Sequence, residues 1–344
     1  CVKIDGGSIL SINKCEGVFN SYILPGFVDA HVHIESSMVT PYEFSREAVK
    51  HGTVGTVSDP HEIANILGIE GVTFMIDSAR KSPMKFTFGA PSCVPATNFE
   101  SSGASIKSEE VEKLFDIPEV SFLSEVMNFP GVIYGEENVM EKLHSAKKRG
   151  YPVDGHAPAL SGQDLRKYAS AGISTDHECF SYKEGKEKIS VGMKILIREG
   201  SAAKNFNSLI PLLKDYPEQI MFCSDDLHPD DLVKGHINVL VKRALKLGYD
   251  LFDVLRASSY NVIKHYNLNV GLLQQNDPAD FVMVNNFEDF NVMATYIDGK
   301  AVFSDGHQYL KPINEPPLNI FNAKYIEKKD LNIFFKSDYM KVIE

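Results

Sequence analysis

The chain has 344 residues, a formal net charge of -11 at pH 7 and 43% hydrophobic residues. This length suits one large α/β barrel with additions or two smaller domains, since barrels run to about 250 residues as a single domain. The chain has no run of about 18 apolar residues, which argues against a membrane span. Its acidic charge, without basic blocks, argues against a nucleic-acid partner.

The cysteine pattern indicates the redox environment. Five cysteines are scattered through the chain without any Cys-x-x-Cys spacing. An odd number at wide spacing predicts neither a disulfide framework nor a zinc ribbon. We therefore expect free thiols in a soluble protein of the reducing cytoplasm.

The chain begins with β-rich residues 1–24, and the next apolar strand ends in its most informative segment, Asp29-Ala30-His31-Val32-His33. Alternate side chains of a strand share a face, so His31 and His33 point to the same side and can bind one metal ion. A chance His-x-His in a half-exposed strand is the alternative interpretation. The other strand ends decide between the two.

Beyond this segment, apolar β-rich runs alternate with charged, helix-like stretches, a pattern typical of right-handed βαβ units. Helix-like stretches cover residues 41–51, 69–81, 109–115, 136–149 and 165–171. Eight strands are predicted, with ends near His33, Asp59, Pro91, Glu125, His156, His177, Arg198 and Asp225. Eight parallel strands predict an α/β fold, a closed (β/α)8 TIM-like barrel.

Residues able to bind a metal or move a proton follow most of these strands. In a barrel the carboxyl ends of the strands build the active site, so such residues are expected to meet in space. The candidates are His31 and His33 and, after the later strands, His61, Glu125, His156, His177 and the adjacent Asp225 and Asp226. Four imidazoles and two carboxylates from such a set suit a pair of divalent ions.

Each candidate also has a simpler structural interpretation. A single histidine at a strand end more often hydrogen-bonds a carbonyl than binds metal, and Asp225-Asp226 could cap the following helix. His61-Glu62 is not a zincin motif, because Asn65 stands where the second histidine would be. The shared position of the candidates at strand ends favours the metal interpretation.

The C-terminal part of the chain is again β-rich. Residues 269–310 show period-two alternation and an Asp298-Gly299 turn, so we expect them to share a sheet with residues 1–24. The barrel is then expected to span residues 25–268. Residues 311–344 are interpreted as a tail.

Segments that match a known enzyme family run in order through the chain, at residues 25–38, 52–65, 91–97, 125–128, 154–158, 176–178, 192–193, 197–201 and 224–229. Together they resemble the bacterial-type adenine deaminases of the metal-dependent amidohydrolase superfamily. The His-x-His motif is shared by the whole superfamily. The segments Ile34-Glu35-Ser36-Ser37 and Arg198-Glu199-Gly200-Ser201 look specific to adenine deaminases.

The resemblance implies a two-metal centre. In it His31 and His33 would hold one ion, His156 and His177 the other, and Glu125 would bridge them. The ions would be Mn²⁺ or Fe²⁺, with Zn²⁺ also compatible. The resemblance also implies that the two chain ends form a small β-sandwich domain beside the barrel. It further implies that the tail at residues 311–344 is the start of a truncated C-terminal domain.

The remaining roles also come from the resemblance. Asp225 would be the last metal ligand and a proton shuttle, chosen over Asp226 because superfamily members use the first acidic residue at this strand end. Together with Glu125, the catalytic set would include Asp59 and His61, near the purine or the attacking water. The substrate-binding candidates are Ser92, Arg198, Glu199 and Asp226.

The activity implied is hydrolytic deamination of adenine to hypoxanthine and ammonia by a metal-bridging hydroxide, as in purine salvage. Its partners would be adenine and water, and a homo-oligomer is expected. One alternative is another hydrolase of the superfamily that acts on a cyclic amide or amidine. A non-catalytic metal-binding barrel protein is the alternative of a different class.

Overall fold

The computed structural model describes residues 1–97, 99–332 and 339. The strands are β1 (Val2–Asp5), β2 (Ser8–Ile12), β3 (Tyr22–Pro25), β4 (Phe27–Val32), β5 (Thr53–Ser58), β6 (Lys85–Ala90), β7 (Val120–Val126), β8 (Val153–Gly155), β9 (Thr175–Asp176), β10 (Lys194–Arg198), β11 (Ile220–Cys223), β12 (Phe281–Val284), β13 (Val292–Ile297), β14 (Lys300–Ser304) and β15 (His307–Gln308). The α-helices are α1 (Pro41–Ala48), α2 (His61–Ala79), α3 (Ser108–Leu114), α4 (Phe129–Tyr134), α5 (Glu137–Arg149), α6 (Gly162–Ser170), α7 (Tyr182–Ser190), α8 (Phe206–Leu209), α9 (Pro211–Asp215), α10 (Pro229–Leu232), α11 (Ile237–Lys246), α12 (Leu251–Leu255) and α13 (Asn261–Tyr266).

Strands β4 to β11 form a parallel barrel. β4 to β8 pair in chain order, and so do β9 to β11. Between β8 and β9 the amide of Ser174 donates to the carbonyl of Val153 at 2.9 Å, and the amide of Asp225, just after β11, donates to the carbonyl of His31 on β4 at 2.9 Å. These bonds close the ring of strands, so the predicted TIM-like barrel is confirmed.

The barrel strands are apolar because helices cover the sheet on its outside. Every residue of β4, β5 and β11 is buried. Strands buried on both faces are typical of parallel sheets, whose crossover helices cover the outer face. Phe88 on β6 and Phe122 on β7 belong to the same apolar core and are fully buried. This core gives the strand ends a rigid base.

The predicted strand ends all lie within two residues of the observed ones. The helix predicted at residues 69–81 matches the second part of α2, and the first part, which begins at His61, was not predicted. The two parts meet at Gly68, where the backbone is non-helical (φ 60°, ψ -139°). The early start places His61 and Glu62 in the first turn, at the carboxyl end of β5.

A small β domain flanks the barrel, as predicted. β3 and β12 to β15 form one antiparallel sheet in the order β15-β14-β13-β12-β3. The β1–β2 hairpin lies alongside, where the amide of Ile9 donates to the carbonyl of Asp277 at 2.9 Å. Asp298 (φ 46°) and Gly299 (φ 72°) form the predicted turn, and positive φ at both positions is typical of a type I′ hairpin turn.

The exact domain boundaries remain predictions. The tail expected at residues 311–344 lies partly outside the described residues, which stop at 332 apart from residue 339. Within the described part of the chain, no helix combines the length and apolar character needed to cross a membrane.

Candidate metal centre and active site

The carboxyl end of the barrel gathers the six candidate ligands from five strands. They are His31 on β4, His33 just after it, Glu125 on β7, His156 after β8, His177 after β9 and Asp225 after β11. All are buried except His156, whose side chain is 29% exposed. The strand ends therefore bring together residues that are far apart in the sequence.

Glu125 lies at the middle of this cluster. Its Oε1 lies 3.4 Å from His33 Nε2. Its Oε2 lies 2.7 Å from His156 Nδ1 and 3.0 Å from His177 Nε2. The two carboxylate oxygens thus face two different groups of histidines, which is the arrangement that a bridging ligand requires.

Asp225 closes the cluster on the side of the His-x-His motif. Its Oδ1 lies 3.3 Å from His33 Nε2 and 3.8 Å from His31 Nε2, and the two Nε2 atoms are 3.1 Å apart. Asp226 lies farther out, where its Oδ1 accepts a hydrogen bond from Ser36 at 2.6 Å. Asp225, and not Asp226, therefore lies against both histidines.

The donor atoms of this cluster suit a divalent ion. Among the described residues, five overlapping groups have ligand atoms that all lie within 4.8 Å of one another: His31/His33/Asp225, His31/Glu125/His177, His156/His177/Glu178, His33/Asp59/His61/Glu125 and His33/Glu62/Asp226. Imidazole nitrogen together with carboxylate oxygen is a donor set accepted by manganese, iron and zinc. The cluster is compatible with a divalent metal site.

The buried charges shift the pKa values of side chains in the cluster. Burial, with the charges of His177 and His33, lowers the pKa of His31 to about 3. Burial opposes protonation of His177, but the nearby Glu125 carboxylate outweighs it and raises the pKa of His177 to about 9. Asp225 is pushed toward protonation by burial, yet its hydrogen bond with His33 and the charge of His177 hold its pKa well below the usual range. Asp225 is therefore ionised, and His177 carries a proton at neutral pH.

Asp59 and His61 form a second pair beside the cluster. His61 Nδ1 lies 3.2 Å from Asp59 Oδ2 and 3.5 Å from Glu125 Oε1. Burial opposes the charge on His61, but Asp59 raises the pKa of His61 to about 10. His61 is thus a protonated group within reach of the centre, as a general acid must be.

Arg198 contacts the cluster directly. Its guanidinium donates to Asp225 Oδ2 and forms a two-pronged pair with Glu178, with Nη1–Oε1 and Nη2–Oε2 distances of 2.5 and 2.9 Å. The structure therefore places Arg198 against Asp225, where it restrains the carboxylate.

Two other predicted substrate-binding residues also have partners within the chain. The hydroxyl of Ser92 donates to the backbone carbonyl of Glu125 at 2.5 Å. The Glu199 carboxylate accepts from Arg243 on α11. Their roles in substrate binding remain predictions, and the contacts described here join them to other parts of the chain.

Two carboxylates that were not among the predicted site residues also lie at the centre. Glu178 Oε1 lies 3.6 Å from both His156 Nδ1 and His177 Nε2. Glu62 Oε2 lies 3.5 Å from His33 Nδ1. The signal that could have found them is adjacency, because Glu178 directly follows His177 and Glu62 directly follows His61.

Comparison with known proteins gives close sequence relatives. An adenine deaminase of Sulfurovum sp. (strain NBC37-1) is 58% identical over 329 residues, which cover 96% of this chain and 62% of that protein. An adenine deaminase of Salinibacter ruber (strain DSM 13855 / M31) is 52% identical over 342 residues, which cover 99% of this chain and 63% of that protein. The chain thus spans about three fifths of the length of the curated relatives it matches.

The fold is shared with solved structures at low sequence identity. The β-aspartyl dipeptidase of Fervidobacterium islandicum AW-1 superposes with a TM-score of 0.67 at 16% identity, covering 90% of this chain and 94% of that one. The sequence model of the amidohydrolase family matches residues 22–302 of this chain. This match covers the barrel and the C-terminal strands as far as β14, and the chain belongs to the amidohydrolase family.

Proposed function

We propose that the chain catalyses the hydrolytic deamination of adenine to hypoxanthine and ammonia. The observation that carries this proposal is the set of histidines gathered around Glu125, in a chain 58% identical to a protein named adenine deaminase. Because the chain spans only part of that relative's length, the activity is a proposal for this chain.

We infer that the cluster holds two divalent ions. His31, His33 and Asp225 would hold one ion, His156 and His177 the other, and Glu125 would bridge them, since its oxygens face both groups. Mn²⁺ and Fe²⁺ are the first candidates and Zn²⁺ is compatible with the same donors. The chemistry that such ions supply when bound is the activation of water near neutral pH.

The reaction requires two proton movements. Water oxygen forms a bond to C6 and the bond from C6 to the exocyclic nitrogen breaks, while one proton of the water reaches a ring nitrogen and the other reaches the leaving amine. Asp225 is suited to take up a proton from water and pass it to the amine, because it is ionised and restrained by Arg198. His61 is suited to donate to the ring nitrogen, because Asp59 keeps it protonated, and the second proton of the water would then return to His61.

The test is to incubate the chain, loaded with Mn²⁺, with adenine, adenosine and cytosine and to follow ammonia release. We expect ammonia from adenine. Turnover of adenosine without turnover of adenine would overturn the substrate assignment. A metal-loaded chain that releases no ammonia from any base would favour the non-catalytic alternative. A homo-oligomeric, cytoplasmic protein remains our sequence-based prediction.

A further inference from the structure

One buried carboxylate, Asp176, holds the backbone beside two of the proposed metal ligands. Its Oδ2 accepts from the amide of Ala157 at 2.9 Å and its Oδ1 from the amide of Glu178 at 2.9 Å. Ala157 directly follows His156, and Glu178 directly follows His177. Asp176 therefore joins the strand ends that carry these two histidines.

A fully buried lysine of α7 completes this contact. Lys188 Nζ lies 3.1 Å from Asp176 Oδ1 and donates to the carbonyl of Ala157 at 2.7 Å and to Glu184 at 3.0 Å. Burial opposes the charge on Lys188, but Asp176 outweighs it and raises the pKa of the lysine. A buried carboxylate needs such a partner, because an unpaired charge is costly at low dielectric.

The same arrangement recurs at the other proposed ion. Asp29 Oδ1 accepts from the amide of His31 at 3.2 Å and from the amide of Ser224 at 3.0 Å. Ser224 directly precedes Asp225, and Asp29 Oδ2 lies 2.8 Å from His236 Nε2. Each pair of ligand-bearing strand ends is thus joined by its own buried carboxylate.

We propose that Asp176 is a positioning residue for the ion that His156 and His177 would hold, with Lys188 as its counter-charge. The proposal rests on the metal ligands given under the proposed function. Side chains that hold metal ligands in place through hydrogen bonds typically weaken metal binding by about 10- to 100-fold when they are removed. Asp176 accepts hydrogen bonds from the two residues that directly follow His156 and His177. Its loss is therefore expected to weaken the binding of one ion and not of both.

The experiment measures Mn²⁺ binding to the purified full chain by calorimetric titration, with bound metal counted by atomic spectrometry. The Asp176→Asn variant removes the charge at nearly constant volume. A second variant, Asp176→Asn with Lys188→Met, removes both charges and avoids a stranded lysine. Lys186→Met, at an exposed position on the same helix, is the matched control.

We expect two ions per wild-type chain and per control chain. In both Asp176 variants one ion should bind with wild-type affinity and the other about 10- to 100-fold more weakly. In a parallel variant, Asp29→Asn, one ion should also be weakened, and combining Asp29→Asn with Asp176→Asn should weaken both.

Two results would overturn the positioning role while leaving the two-ion centre intact. They are unchanged binding of both ions in the Asp176 variants, or an equal loss of both ions, which would indicate a general structural role. A wild-type chain that binds no more than one ion would instead overturn the two-ion centre, and this inference with it.

Discussion

Replacing Asp225 with asparagine tests the proposed proton transfer most directly. Asp225 has a positive φ of 59°, a backbone conformation that asparagine tolerates better than most residues. The backbone bond from Asp225 to the His31 carbonyl does not depend on the side chain. Arg198 keeps its two-pronged contact with Glu178 in the variant, so its charge is not left unpaired.

The expected effects on stability and turnover differ in size. Losing the charge-assisted bond with Arg198 should cost about 1.5 to 3 kcal/mol of unfolding free energy. Losing a positioned acid or base typically slows a reaction by about 10²- to 10⁴-fold, or about 3 to 5 kcal/mol in the barrier. Asp225→Asn should therefore remain folded and lose most of its turnover.

The assay is conversion of adenine at saturating Mn²⁺, with metal content and urea unfolding measured on the same samples. Asp230→Asn, at an exposed carboxylate on α10, is the matched control. We expect it to keep wild-type turnover. Near-wild-type turnover in a folded, metal-loaded Asp225→Asn chain would refute the assignment.

Three further predictions concern metal binding and stability. His177, with a pKa of about 9, and His33, whose pKa is also raised, must lose protons to bind metal. The affinity for Mn²⁺ should therefore rise about tenfold per pH unit for each proton released between about pH 6 and 8, and a pH-independent affinity would contradict this. Phe122→Ala, in the core, should lower the unfolding free energy by about 3 to 5 kcal/mol, whereas Phe252→Ala, at a position 71% exposed, should change it by less than about 0.5 kcal/mol; urea unfolding that gives equal effects would argue against the core assignment. Arg198→Met removes the guanidinium that pairs with the buried carboxylates of Glu178 and Asp225, and should lower the free energy of unfolding by about 3 to 5 kcal/mol. An unchanged midpoint of urea unfolding would mean that these ion pairs contribute little to stability.

Local sequence patterns predicted most of the fold. Apolar β-rich runs marked the barrel strands, because a strand buried on both faces is largely apolar rather than alternating. Helix starts were harder to predict. The first part of α2, before the kink at Gly68, was not predicted, because it begins directly after Pro60 without the side-chain cap that marks many helix starts.

The sequence by itself determined which residues could serve as ligands, since histidines and carboxylates stand at the ends of successive strands. Only the tertiary structure decided how they are arranged. Closing the ring set the oxygens of Glu125 between two groups of histidines and placed Asp225 rather than Asp226 against His31 and His33. Contacts such as that of Asp176 with Ala157 join residues from different strands, and no local pattern encodes them because they depend on how the strands pack side by side.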